Sequence, residues 1–532
     1  MMNMLYNLFR RIMAVTAVVL GISSCLDKMP GDAIHLDQGM KTFSDAEQTL
    51  TGIYSAYMSG ALYSGYLTLL PDIQADLVHA VQGNSNTYGP VWEWDIRTTN
   101  SQIEAVYGSL YTVIAQCNYY LDKVGDLRES LINDDDITYL DYYTGEVYCA
   151  RANAYAELIK CFCDAYDPAN AHRQQGVAID STYFGEKPKG RASLKESYDF
   201  VISDLEKSIE LLEDDYNYYS NPYVTSAAAK AILARVALYT QDWEKAVKYA
   251  TEVIEDGSFA LSTSSVYTQG TDPISGANRS FTYIDYMWTH DLSTEIIWQI
   301  GFTVTSYGGS LGQVFLNFNN DYTNFYPDYM PSEWVIGLYS GSDARRTAYF
   351  RTLTTGYSGN PALTLLIKYF GEQSTFIPNL IYHVSQPKPI RLAEMYLIRA
   401  EAYSRNGKDY GKASDDLRTL ASARGVSSAN VNAGNWLKVI SEERVKELYM
   451  EGFRLNDLKR WQKQVSDSEW SQIQSDPSVA FKRVRQSSAQ NGPGSTLQIR
   501  KNDYRFIWPI PNHDIEAPGS EIEQNDGYKK SE

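Results

Sequence analysis

Gly308-Gly309-Ser310-Leu311-Gly312 fits the pattern G-x-S-x-G, in which a serine on a sharp strand-to-helix turn serves as a nucleophile. That turn needs a strand before it and a helix after it inside an α/β sheet. The chain around Ser310 carries no such alternation, so its glycines predict a flexible loop, and a surface hydrolase working through Ser310 is a remote reading. The six histidines (His35, His79, His172, His290, His383 and His513) are scattered, with no HExxH and no pair at metal-ligand spacing. No phosphate-cradling or dinucleotide glycine pattern occurs, and no two carboxylates are placed by sequence as a glycosidase pair. The expectation is a protein without catalytic residues, metal or cofactor. A net charge of −18 argues against nucleic acid and against an anionic membrane surface as ligand. Binding fits better, because sugars present C–H faces that pack on aromatic rings and hydroxyls that pair with polar side chains. The 42 tyrosines are spread over the whole chain, so composition alone locates no site.

A second set of chemistry-bearing residues is charged. Along residues 389–461, Arg391, Glu394, Glu401 and Arg405 form a stripe on one helix, whereas Arg399 lies among apolar neighbours. A buried arginine needs a fixed partner. Glu443, Arg444, Glu447, Glu451 and Arg454 fall within about 100° of one another on the next helical stretch. This predicts a structural ion network of Arg399, Glu443, Glu447, Glu451 and Arg454, in which neutralising Glu447 or Glu451 harms folding more than binding.

These residues must be positioned by helices. Leu392, Met395, Tyr396, Ala402 and Tyr403 recur at helical spacing, Asn406-Gly407 stops that helix, and Tyr410, Ala413, Leu417 and Leu420 restart it. The run 226–255 carries the same pattern, with packed alanines, Leu238-Tyr239 and then Asp242-Trp243-Glu244-Lys245-Ala246. It has the spacing of a tetratricopeptide unit, and Asp409-Tyr410-Gly411-Lys412-Ala413 is a second copy. Residues 43–62 read as a helix with Ser44 as N-cap, and 103–124 and 143–162 are helical. Asn133-Asp134-Asp135-Asp136 reads as a cap rather than a calcium loop, since the glycine and terminal glutamate of an EF-hand are missing. Cys117, Cys149, Cys161 and Cys163 sit in apolar helical surroundings and read as buried small hydrophobes. Residues 66–99 and 257–388 lose the helical period, and 462–532 form a C-terminal segment. The fold class expected is therefore mainly α: a tetratricopeptide-like helical repeat scaffold (repeats at about 103–255 and 389–461) with a large irregular loop and short-strand insert. At the start, Arg10-Arg11, an apolar run over 12–22 and Ser23-Ser24-Cys25 read as a secretory signal too short to span a membrane. Residues 1–24 would be removed, Cys25 acylated, and 25–36 left as a tether to a single domain, 37–532. Acyl chains contribute about 0.8 kcal/mol per buried CH₂ to such an anchor.

Three motifs in order, RLAEMYLIRAEAY from Arg391, the ER-x-x-EL-x-x-EG-x-R-x-x-DL-x-RW pattern over Glu443–Trp461, and Trp508–Pro511 with Gln524–Tyr528, resemble the SusD/RagB family of nutrient-binding surface lipoproteins of Bacteroidetes. The stretch 161–168, CFCDAYDP, departs from the Tyr-Gly turn common in that family. The resemblance implies a lipid-anchored protein on the extracellular face of the outer membrane. It would serve as lid and capture surface for a SusC-like TonB-dependent transporter, with an oligosaccharide as cargo or, in the RagB branch, an oligopeptide. It further implies ligand contacts from loops rather than repeat helices. In the matching regions the candidates are Asn84, Tyr88, Trp92, Trp94, Tyr286, Trp288 and Tyr307.

Overall fold

The computed structural model describes residues 39–81, 87–318, 324–484, 486–487 and 494–528. The signal and tether, Cys25 and Asn84 lie outside them. Helix α1 (Phe43–Tyr57) begins not at Ser44 but at Thr42, because Asp45 stands three residues beyond it. The Thr42 hydroxyl accepts the Asp45 N–H at 3.2 Å and the Asp45 carboxylate accepts the Thr42 N–H at 2.8 Å, closing a capping box. Short α2 (Tyr66–Gln74), strand β1 (Val78–Val81) and the single turn α3 (Gly89–Trp92) follow.

Two long helices, α4 (Ser101–Ser130) and α5 (Asp134–Phe162), are each capped by an asparagine. The Asn133 side chain accepts the Asp135 N–H at 2.9 Å, and Asp134, Asp135 and Asp136 occupy the first turn, where the helix dipole favours negative charge. The acidic run is thus a helix start. Helix α6 (Leu194–Leu211) opens on a second capping box, Ser193 with Glu196. The hairpin α7 (Ser226–Thr240) and α8 (Trp243–Glu255) is the structural form of the alanine-rich repeat. Ala228, Ala234, Ala237, Ala246 and Ala250 are all fully or almost fully buried, which brings the two backbones close.

The insert that follows is built from short two- and three-stranded pieces rather than a continuous sheet. β2 (Val266–Thr271) pairs antiparallel with β3 (Asn278–Thr282), which leads into α9 (Tyr283–Thr289). β4 (Ile296–Trp298) crosses to β8 (Ile390–Arg391), so the start and end of the insert are stitched together. Between them lie α10 (Gln313–Leu316), β5 (Tyr329–Pro331), α11 (Glu333–Gly337), α12 (Ala344–Tyr349) and the hairpin β6 (Phe350–Thr354) with β7 (Ala362–Leu366). β1 joins β5 antiparallel and β10 (Gln486–Ser487) parallel, and β9 (Val479–Val484) pairs with β11 (Thr496–Arg500). The second hairpin, α13 (Leu392–Arg405) and α14 (Tyr410–Ala423), precedes α15 (Trp436–Glu447) and α16 (Arg454–Gln464).

The C-terminal signature closes the fold by satisfying the carbonyls that α5 leaves open. Trp508 N–H donates to Cys161 O at 2.9 Å, Asn525 Nδ2 donates to Phe162 O at 2.9 Å, and Lys459 Nζ donates to Cys163 O at 2.8 Å. Stretch 161–168 therefore needs no glycine turn of its own. Cys117, Cys149, Cys161 and Cys163 are buried and unbridged. Among the described residues no helix is long and apolar enough to cross a membrane.

Candidate functional site

The charged residues of the signature helices converge on one buried hub. Glu447, fully buried on α15, accepts from Arg345 at 3.0 Å, Arg391 at 2.9 Å and Arg424 at 2.8 Å. Glu295, just before β4, accepts from Arg391 at 2.6 Å and Arg424 at 2.9 Å. Glu443 takes Arg345 and Lys446, Glu451 takes Arg391 and Lys368, and Asp343 takes Arg345. Arg345, Arg391, Arg424, Lys368 and Lys446 thus match Glu295, Asp343, Glu443, Glu447 and Glu451 charge for charge, the condition under which ions survive burial. Burial alone would raise the Glu447 carboxyl, but Arg424 and Arg391 outweigh it and hold the group far below the usual range.

Two predicted members lie elsewhere. Arg399 faces α14 and α8, not α15, and is taken by Asp416 at 2.6 Å and Thr251 at 3.1 Å. Arg454 is fixed by Asp76, with its Nε 2.8 Å from the carboxylate. Arg391 takes the place expected of Arg399: set one step before α13 by the end of β8, it reaches Glu447 on α15. The hub ties insert, repeat helices and C-terminal helices together, and its groups face one another rather than solvent.

Three predicted ligand contacts are interior packing residues. Trp92 lies under the Arg483 guanidinium, 4.6 Å from its ring, and its carbonyl accepts from the same arginine. Trp94 donates from Nε1 to Gln74 O at 2.7 Å and packs against Phe481 and Phe506. Trp288, on α9, is covered by Lys368 at 4.0 Å, Lys388 at 4.9 Å and Arg391 at 5.3 Å. Each is 3% exposed or less, so none can offer a ring face to a ligand. The physical reason is cationic: arginines and lysines distant in sequence sit on the indole faces, a stabilising arrangement in a desolvated interior. The cavity beside Trp288, lined in part by Glu157, Lys160, Arg235, Lys388 and Glu451, measures about 30 Å³. It is water-sized.

Tyr88, Tyr286 and Tyr307 do reach the surface. Tyr88 is the left-handed N-cap of α3 (φ 64°) and meets Tyr66 edge-on with centroids 5.7 Å apart. Tyr286 is half-buried and stacks flat on His290 at 3.9 Å. Tyr307 is 44% exposed and borders an open cleft of about 510 Å³ whose other walls are Ser55, Met58, Ser59, Gly60, Ser306, Gly308 and Gly309. The cleft is cut between the C-terminal end of α1 and the loop 303–309. A tight turn, with Thr303 and Ser306 exchanging backbone hydrogen bonds of 2.9 and 3.1 Å, sets Tyr307 at its rim, and the ring leans edge-on against Phe376 at 5.9 Å.

Glycines make this contact possible. A Cβ on Gly308 would lie 2.1 Å from Met58 O, and one on Gly309 would lie 2.6 Å from Ser64 O. Gly309 N–H donates to Ser64 Oγ at 2.8 Å, pinning the loop to the α1–α2 turn. The G-x-S-x-G match is therefore a close backbone approach. No β-strand leads into Ser310, and its Oγ donates to the backbone carbonyl of His383 at 3.3 Å, while burial pushes the His383 ring down to about 4. Tyr307 was among the sequence candidates, whereas the Met58-Ser59-Gly60 wall that faces it was not. Its only signal was a run of small residues just beyond a helix end.

Comparison with known proteins matches this architecture. The model described as "SusD family" matches residues 381–528, and that described as "Starch-binding associating with outer membrane" matches residues 32–238. The relative SusD-like protein P25 of Formosa agariphila is 21% identical over 476 residues, covering 82% of this chain and 86% of its own. Among solved structures, a putative sugar binding protein from Bacteroides vulgatus gives a TM-score of 0.69 at 25% identity and covers 92% of this chain and 99% of that one. A SusD superfamily protein from Bacteroides thetaiotaomicron gives 0.70 at 22% identity, covering 91% and 99%. The chain belongs to the SusD-like family.

Proposed function

We propose that this protein captures an oligosaccharide at the Tyr307 cleft and passes it, as a lid, to a SusC-like TonB-dependent transporter of the outer membrane. On this reading it is acylated at Cys25 and held on the extracellular face as one domain, 37–532. The observation that carries the binding step is the make-up of the cleft. None of its eight lining residues is charged, and its one aromatic side chain is an exposed tyrosine. An aromatic face takes the C–H face of a pyranose, while the hydroxyls of Ser55, Ser59 and Ser306 and the glycine backbone offer hydrogen bonds. A protein of net charge −18 with an uncharged cleft suits a neutral cargo. Family membership supports the same class, since the family is described as starch-binding and associated with the outer membrane. Of the remaining sequence candidates, Tyr88 and Tyr286 are retained as surface contacts.

The test is native mass spectrometry of the protein purified from its own membrane, followed by titration of the glycan found. A co-purifying barrel carrying sugar masses supports the reading, and peptide masses would replace the cargo with an oligopeptide. In titration, Tyr307→Ala is expected to weaken glycan binding about tenfold, the loss of one aromatic contact with its buried area, with an unchanged far-UV spectrum. Undiminished affinity would remove the cleft from consideration.

A further inference from the structure

A further aromatic cluster reaches the surface away from the cleft. Tyr283, Tyr286 and His290 stand at helical spacing on α9 and its C-cap, so they share one face. Tyr267, from β2, lies against that face with ring centroids 4.8 Å from Tyr283 and 4.5 Å from Tyr286. Tyr267 is 46% exposed and Tyr283 is 43% exposed. Single exposed aromatics need no explanation, but a contiguous group on a soluble surface marks a binding place. Among the described residues none of the three tyrosine hydroxyls is engaged in a hydrogen bond. Ring faces and phenolic hydroxyls are thus offered together.

The support beneath is rigid. Thr282 and Asp285 form a capping box that starts α9, and Asp272 holds Arg279 at 2.8 Å and Arg351 at 2.7 Å, fixing the β2–β3 hairpin. One turn connects this face to the cleft. The Glu372 carboxylate accepts the N–H groups of Ser374 and Thr375, each at 2.6 Å, and thereby locks residues 372–376. On one side Gln373 N–H donates to Thr289 O of α9 at 2.7 Å, and on the other Phe376 meets Tyr307.

We infer that Tyr267, Tyr283 and Tyr286 form a second saccharide-binding surface, joined to the Tyr307 cleft through the Glu372–Phe376 turn, that engages the far end of a longer glycan. This rests on the cleft reading above. Two linked contacts on one chain convert the second binding event into an intramolecular one, so affinity rises with glycan length.

The experiment is an array of α- and β-glucans probed with the full protein, then calorimetry with three-residue and seven-residue oligomers of the best-bound series. The wild type is expected to prefer the longer oligomer. The double variant Tyr267→Ala/Tyr283→Ala should lose that preference, about tenfold in affinity, and still bind the trimer as before. Tyr307→Ala should weaken binding of both oligomers about tenfold. If the double variant keeps the length preference while Tyr307→Ala weakens binding, the second surface is overturned and the cleft stands. If Tyr307→Ala binds normally and the double variant does not, the cleft reading fails and the tyrosine face is the binding site. Binding to no glycan on the array would overturn both.

Discussion

Glu447 has no role at a surface, and yet few side chains in the molecule have more partners. Replacing it by glutamine keeps its shape but leaves Arg345, Arg391 and Arg424 short of one buried charge. Removing one side of such a pair costs about 3–5 kcal/mol, so Glu447→Gln should lower the urea midpoint sharply while glycan affinity of the folded fraction stays unchanged. Glu146 makes the opposite case. It lies buried on α5 with, among the described residues, only the Tyr54 hydroxyl as hydrogen-bond partner, and burial raises its carboxyl to about 8. An acid whose folded pKa lies above its unfolded value binds its proton more tightly when folded, so stability falls as pH rises from about 4.5 towards about 8. Glu146→Gln should remove that slope and raise the melting temperature at pH 8 more than at pH 5, as read by calorimetry. At this scale the sequence was informative about type and poor about partners. Glu443 and Glu447 were recognisable as a pair because helical spacing aligns them on α15, whereas Glu451, expected on the same helical stretch, lies in the turn beyond its end and reaches the hub from there. Arg345, Arg424 and Glu295, which complete the hub, come from segments whose proximity only tertiary structure creates. The same holds for Trp92, Trp94 and Trp288. They sit in turn-rich stretches that read as exposed, and Arg483, Phe481 and Lys368, which cover them, are distant in the chain.

The helical hairpins were legible because their signals are local. Asp242 caps α8 by accepting Lys245 N–H, and Asp409 caps α14 by accepting Lys412 N–H, each at 3.1 Å. Both belong to the Asp-aromatic-x-Lys-Ala copies that betray the repeat. Asp242→Ala and Asp409→Ala should each cost about 1 kcal/mol and add when combined, since they start different helices, as denaturant titration would report. The insert was less legible for an equally local reason. Its strands run only two to six residues, several pair with partners far along the chain, and period-two alternation has no room to appear. Small residues gave the cleft wall no hydrophobic period at all. Only the glycine pair beside Tyr307 hinted that two backbones meet there.

Over the whole molecule, acid stability depends on carboxylates held low by arginine. Burial would raise Glu401, but Arg460 outweighs it and brings the group from 4.5 to about 2, and Glu447 is displaced in the same direction. A carboxyl lowered on folding contributes stability above its unfolded pKa and loses it as pH falls through the folded one. Circular dichroism should therefore show the fold surviving at pH 5 and failing between about 4.5 and about 2, with Glu401→Gln flattening that dependence. One arrangement has a consequence for how the chain is made. Gln74, at the end of α2, is bonded by Arg505 and Trp508, which lie 431 and 434 positions later, and Asp72 holds Gly452 N–H, 380 positions on. The amino-terminal third leaves the ribosome while the residues that complete its packing have yet to be translated. Contacts this distant form slowly and leave apolar surface waiting, so the packing around α2 is expected to stay incomplete until Arg505 and Trp508 arrive.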